Sequence, residues 1–141
     1  MQEISYDTKF DLLGQYKIET EYDIVMVRQT IRQYAKEFGM GIVDQTRITT
    51  AVSELFRNMY NYAGGGDVLV ESGEVENHRA LVVTCSDKGP GIENIELAMS
   101  DGFTSGLGMG YGLPGTKRLV DRFEIQSKLN EGTTVRIMKW M

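Results

Sequence analysis

Ile24, Val27, Ile31, Ala35 and Phe38 recur at spacings of three and four, which predicts a helix burying that face. Thr20-Glu21-Tyr22-Asp23 ahead of it resembles a capping box with Asp in place of Glu, and Gly39 and Gly41 end the run. A second stripe, Ile48, Val52, Leu55, Met59 and Tyr62, predicts a second helix that Asp44 can cap and Gly64-Gly65-Gly66 stops. Tyr16, Ile18 and Thr20 alternate with polar neighbours, as in a short strand. Residues 1–15 have no clear period and read as a loose arm or an extra strand.

Downstream the period shortens to two. Residues 67–71 and 79–86 read as the strands of a hairpin around a polar segment, 72–78. Ala80-Leu81-Val82-Val83 is apolar on both faces, hence a central strand. Residues 93–100 can form a short helix, and residues 101–110, rich in Gly, Ser and Thr, read as a loop. Gly112-Leu113-Pro114-Gly115 opens a third helix through Leu119, Val120 and Phe123, with Pro114 tolerated in its first turn. Phe123 and Ile125 alternate as a third central strand. Val135, Ile137 and Lys139 belong to a last one, after the turn Asn130-Glu131-Gly132. No repeat or low-complexity linker divides the chain.

Composition narrows the function classes. A length of 141 residues suggests one domain, and 41% hydrophobic with 25% charged residues suits a globular fold with a real core. No apolar run reaches membrane-spanning length and no signal segment opens the chain, so a cytoplasmic location is expected and no membrane partner. Cys85 is the only cysteine, which excludes an intrachain disulfide and a cysteine-cluster metal site; within its apolar run it reads as a buried, inert thiol. His78 is the only histidine and lies in the polar hairpin stretch, which argues against a Ser-His-Asp triad or a histidine-rich zinc site. A net charge of −5 without a basic block argues against nucleic acid as the main partner.

Three separated pieces carry candidate chemistry. Glu54 and Asn58 are i and i+4 on the second helix, so they share a face. A carboxylate and an amide so placed suit a reacting oxygen and a metal; alone, they also describe two solvated helix residues. Asp87-Lys88-Gly89-Pro90-Gly91 follows a central strand, where the carboxylate meets the sheet edge and Gly89 and Gly91 let the backbone approach a flat polar ring. Alone, it is also an ordinary turn. Gly106, Gly108, Gly110 and Gly112 then run into a helix start, a setting that suits phosphate. A Gly132-Thr133 pair comes last. There is no Gly-x-x-x-x-Gly-Lys-Ser/Thr loop and no His-Arg-Asp loop, which excludes P-loop NTPases and eukaryotic-type kinases.

The ordered set Glu-x-x-x-Asn, Asp-x-Gly-x-Gly, Gly-rich run and Gly-Thr resembles the GHKL ATPase superfamily of gyrase, Hsp90-type chaperones, histidine kinases and MutL. Its compact size resembles the anti-sigma-factor serine kinases within it. The stretches 43–55 and 108–121 and the pair Lys139-Trp140 are similar to the RsbT type. The resemblance spans residues 16–140. It implies an ATP-binding kinase domain over 16–141, an α/β sandwich with a mixed, mainly antiparallel sheet and three main helices on one face.

It also implies roles by position. Glu54 matches the general base, or the carboxylate that polarises the attacking group. Asn58 matches the ligand of Mg²⁺ bridging the phosphates, and Asp87 the acceptor from the adenine amino group. Gly89 belongs to that Asp-x-Gly-x-Gly motif, and Gly91 lines the same pocket. Gly106, Gly108, Gly110 and Gly112 match the phosphate-wrapping lid, and Thr133 helps hold the adenine end. Met59 departs from the Ala common after the Asn, which alters packing and not ligands. The function implied is Mg-ATP-dependent phosphorylation of a Ser or Thr on a STAS-domain regulator in a partner-switching pathway, with release to engage another target such as a phosphatase. The alternatives are an anti-sigma factor that binds a sigma factor directly and a non-catalytic ATP-binding interaction module. The histidine-kinase option fails, because a phosphoacceptor helix is missing.

Overall fold

The computed structural model describes residue 4, residues 9–100 and residues 112–141. A five-stranded sheet carries the fold, with strands β1 (Asp11–Ile18), β2 (Gly66–Val75), β3 (His78–Asp87), β4 (Arg122–Lys128) and β5 (Gly132–Trp140) in the order β1-β2-β3-β5-β4. Every neighbouring pair is antiparallel, the limit of the mainly antiparallel sheet expected. Helices α1 (Glu21–Glu37), α2 (Ile42–Ala63), α3 (Ile95–Ala98) and α4 (Leu113–Leu119) complete the layout. Side chains from all four helices join Val68, Val70, Leu81, Val83, Val135 and Ile137 in one core on a single face of the sheet.

Both apolar stripes bury as their spacing requires. Ile24, Val27, Ile31 and Ala35 face inward from α1, and Ile48, Val52, Leu55 and Met59 from α2. The capping box is present: Thr20 Oγ1 accepts from Asp23 N at 3.1 Å, and Asp23 Oδ2 accepts from Thr20 N at 3.0 Å. Asp44 is not a cap. Helix α2 starts one turn earlier, with Gly41 as N-cap, and Asp44 instead lies 3.3 Å from Lys139 Nζ. Gly64, in the left-handed region, ends α2.

Other boundaries also differ. Strand β1 begins at Asp11, inside the stretch without clear period, and pairs with β2 through an irregularity between Leu12 and Gly14. The hairpin loop is only Glu76-Asn77, both at positive φ, so the strands run on through most of 72–78. Helix α4 ends at Leu119, and Phe123 lies on β4, which is an edge strand and not a central one. Strand β3 is central, as its apolar run predicts.

The far face of the sheet is not bare. Ala80, Val82 and Met138 are buried there under Phe10, with Val75 and Trp140 alongside. Arg136 Nε reaches Glu124 Oε1 at 2.6 Å, both buried, and its guanidinium lies over the Phe10 ring at 5.5 Å. His78 is exposed and stacks on Trp140 at 5.0 Å, a surface role. No helix among the described residues is long and apolar enough to cross a membrane.

Candidate active site

Strands β3 and β5 pair so that Asp87 faces Thr133, and β4 brings Ser127 opposite Thr133 from the other side. The register alone therefore gathers three polar side chains at one end of the sheet. Asp87 Oδ1 accepts from Gly89 N at 2.9 Å and from Thr133 N at 3.3 Å. Burial pushes the Asp87 carboxyl above the usual carboxylate range, and these two N–H groups pull it partly back. Ser127 Oγ lies 2.8 Å from Thr133 Oγ1 and accepts from Ile92 N at 2.8 Å.

A cleft opens between this sheet end and α2. Asn58, Asp87, Gly91 and Thr133 line it together, with Leu55, Met59, Ile92, Leu113 and Val135 as apolar walls. Gly91 has φ +77°, and a Cβ there would press on the Lys128 carbonyl, so only glycine fits this close approach. Gly89 is not part of the cleft lining and braces Asp87 through its N–H. Cys85 also lines the cleft from the sheet; it is buried, and burial with the nearby Asp87 charge pushes its thiol far up, consistent with an inert group. Met59 is buried and forms part of the cleft's apolar wall, not a layer behind it.

Glu54 is one helical turn before Asn58 and stands outside the lining of the cleft. Its Oε1 lies 3.2 Å from Arg57 Nη2, and its carboxylate abuts the backbone of Gly112. Gly106, Gly108 and Gly110 lie outside the described residues, as does the rest of the expected lid except Gly112. Among the described residues no group of three or more His, Cys, Asp and Glu side chains could hold a metal. A metal here would be held by few protein atoms, with Asn58 as the amide donor in the cleft.

Two residues in contact with expected site residues stand in none of the motifs: Ser127, against Thr133, and Arg57, against Glu54. Ser127 carries no local signal, because its role comes from the β4–β5 register. Arg57 was legible as an i, i+3 neighbour of Glu54 on a helix.

The profile of the histidine kinase-, DNA gyrase B- and HSP90-like ATPases matches residues 43–140, which is most of the chain and holds the whole cleft. The chain belongs to this ATPase family. It is 49% identical over 125 residues to the serine/threonine-protein kinase RsbT of Bacillus subtilis (strain 168), covering 89% of this chain and 94% of that one. It is 32% identical over 120 residues to the anti-sigma F factor of Anoxybacillus flavithermus, covering 79% and 80%. Among solved structures, the RsbU and RsbW domains of a Mycobacterium tuberculosis protein align with TM-score 0.60 at 18% identity, over 91% of this chain and 32% of that one. The catalytic domain of histidine kinase ThkA aligns with TM-score 0.54 at 16% identity, over 91% and 96%. These two structural likenesses bear on the fold alone, and they bear out the α/β sandwich. The enzyme class implied by the resemblance, a serine/threonine-protein kinase on an ATPase fold, is borne out by the kinase relative and the family match.

Proposed function

We propose that this family member transfers the γ-phosphate of Mg-ATP to a Ser or Thr of a STAS-domain regulator, and so switches between partners. The observation that carries the reading is Asp87, a braced and half-buried carboxylate at the end of a central strand in a mostly apolar cleft. Both N–H bonds land on Oδ1, leaving Oδ2 to accept from a ligand. Adenine offers an exocyclic amino group at that edge, whereas guanine offers a carbonyl. An unpaired buried carboxylate penalises the wrong base by roughly 1–3 kcal/mol.

Asn58 fits Mg²⁺ by donor chemistry. A single amide oxygen would suit a cation that takes few protein ligands. Once bound, the ion supplies charge neutralisation to the phosphates. Glu54 takes the proton of the incoming hydroxyl. The hydroxyl oxygen forms the new P–O bond as the bond from the γ-phosphorus to the ADP oxygen breaks, and ADP leaves with that electron pair. Thr133 and Gly91 hold the adenine end, and Gly112 at the start of α4 stands on the phosphate side.

Kinase identity along nearly the whole of both chains supports this reading over an anti-sigma factor that binds a sigma factor directly. The likeness to anti-sigma F factors keeps that second reading in view, and pull-down with a sigma factor separates the two. A purely nucleotide-binding interaction module would not need Glu54. Incubation with γ-labelled ATP and a STAS-domain protein tests the proposal. Label on the partner supports it; binding without turnover leaves only the interaction module.

A further inference from the structure

The Glu54 carboxylate is flanked on both sides, by Gly112 of the Gly-rich motif and by Arg57, which belongs to none of the nucleotide motifs. On one side Arg57, one turn further along α2, places Nη2 at 3.2 Å from Oε1. On the other, Gly112 caps the start of α4 at φ +66°, and a Cβ there would lie 2.8 Å from Oε2 and 2.8 Å from Cγ. One oxygen is therefore held, while the other keeps its space only because residue 112 has no side chain. The Arg57 side chain is 51% exposed and that of Glu54 34%. An exposed ion pair of this kind adds little to stability. Fold stability is a weak reason for the pair; aiming a carboxylate is a better one.

Building on the reading of Glu54 as base, we propose that Arg57 is a positioning residue for phosphoryl transfer, acting through Glu54. Its guanidinium fixes Oε1 by a charge-assisted bond, which sets the rotation of the carboxylate and presents Oε2 to the acceptor hydroxyl. Gly112 keeps the ground beside Oε2 clear. Arg57, like Glu54, is not part of the lining of the cleft that Asn58 and Asp87 share. The guanidinium donates to Oε1 from Nη2 alone; an ammonium at the same place holds the carboxylate more loosely, and an amide holds it weakly.

The test uses the full chain with Mg-ATP and a STAS-domain protein, comparing the parent with Arg57→Gln, Arg57→Lys and Glu54→Gln. Mg-ATP affinity is read by calorimetry and transfer by γ-label, with kcat and KM separated. Arg57→Gln should bind Mg-ATP within about twofold of the parent yet transfer about tenfold more slowly, through kcat, as expected when a reacting group loses its orientation. Arg57→Lys should recover part of that rate. The parental rate in Arg57→Gln overturns the inference, and so does a loss explained by weaker Mg-ATP binding. If Glu54→Gln itself transfers at the parental rate, the base assignment fails instead, and the two failures are told apart.

Discussion

Thr133 donates its backbone N–H to the carboxylate of Asp87 at 3.3 Å, across a ladder joining residues 46 apart in the chain. Gly89 adds a second N–H to the same oxygen, two residues away. The carboxylate is thus held before any ligand arrives. Asp87→Asn keeps an acceptor for these donors but can present an N–H₂ donor to the adenine amino group. ATP affinity should fall by roughly 1–3 kcal/mol in a folded protein. Calorimetric titration checks this, and unchanged affinity would remove Asp87 from the adenine role.

The same residue links pH to stability. Its carboxyl is raised by burial, with the Gly89 and Thr133 N–H groups pulling the other way. A raised folded-state value means that folding disfavours the ionised form. That cost is full above the raised value and is gone below the unfolded one, so the contribution to stability falls as pH rises. Asp87→Asn removes the cost. The nucleotide-free variant should therefore melt no lower than the parent near about pH 7, a pH well above any ordinary carboxylate value. Any advantage should shrink as the pH is lowered into the carboxylate range. Thermal melts over that range decide it; a variant much less stable at neutral pH contradicts the assignment of cost.

Glu54 and Asn58 should separate chemistry from metal binding. Asn58→Ala is expected to weaken Mg-dependent ATP binding. Glu54→Ala is expected to keep nucleotide binding and to lose transfer by about 10²–10⁴-fold, the range for a general base. A milder loss means that Glu54 only orients the acceptor hydroxyl. Titrations with and without Mg²⁺, beside single-turnover transfer, distinguish these outcomes.

Glu124 holds the far face of the sheet. It is fully buried, bonded to Arg136 at 2.6 Å and 3.4 Å from Arg122 Nη2, an ion pair without hydrogen-bond geometry at that oxygen. Glu124→Ala leaves Arg136 charged and buried, with its Glu124 partner gone. The expected cost is about 3–5 kcal/mol in urea unfolding, with ATP affinity little changed in the folded fraction. A cost under about 1 kcal/mol would put the pair among exposed ones.

What the sequence revealed divides by range. The Thr20–Asp23 box, the α1 and α2 stripes and the Gly64 stop depend on residues a few positions apart, and all were legible. Asp44 looked like a cap because acidic residues favour helix starts, yet it serves Lys139, far along the chain. Glu124 and Arg136 sit at positions that alternate with apolar neighbours, so the pattern places them in solvent. Phe10 covers that face through a non-local contact that no period encodes. Strand β4 looked central because Phe123 and Ile125 are apolar, but one buried face is enough to make them so. In the site, Asp87, Gly91, Asn58 and Thr133 came from motif order, whereas Ser127 required the strand register.

The most direct test of the central claim is intact-mass spectrometry after incubation with Mg-ATP, with and without a STAS-domain partner. One phosphate is expected on a Ser or Thr of the partner and none on this chain, including Thr104 and Ser105 beside the Gly-rich run. The partner's gain should vanish in Glu54→Ala. Stoichiometric phosphate on Thr104 or Ser105 with none on the partner, or no transfer at all, would contradict it.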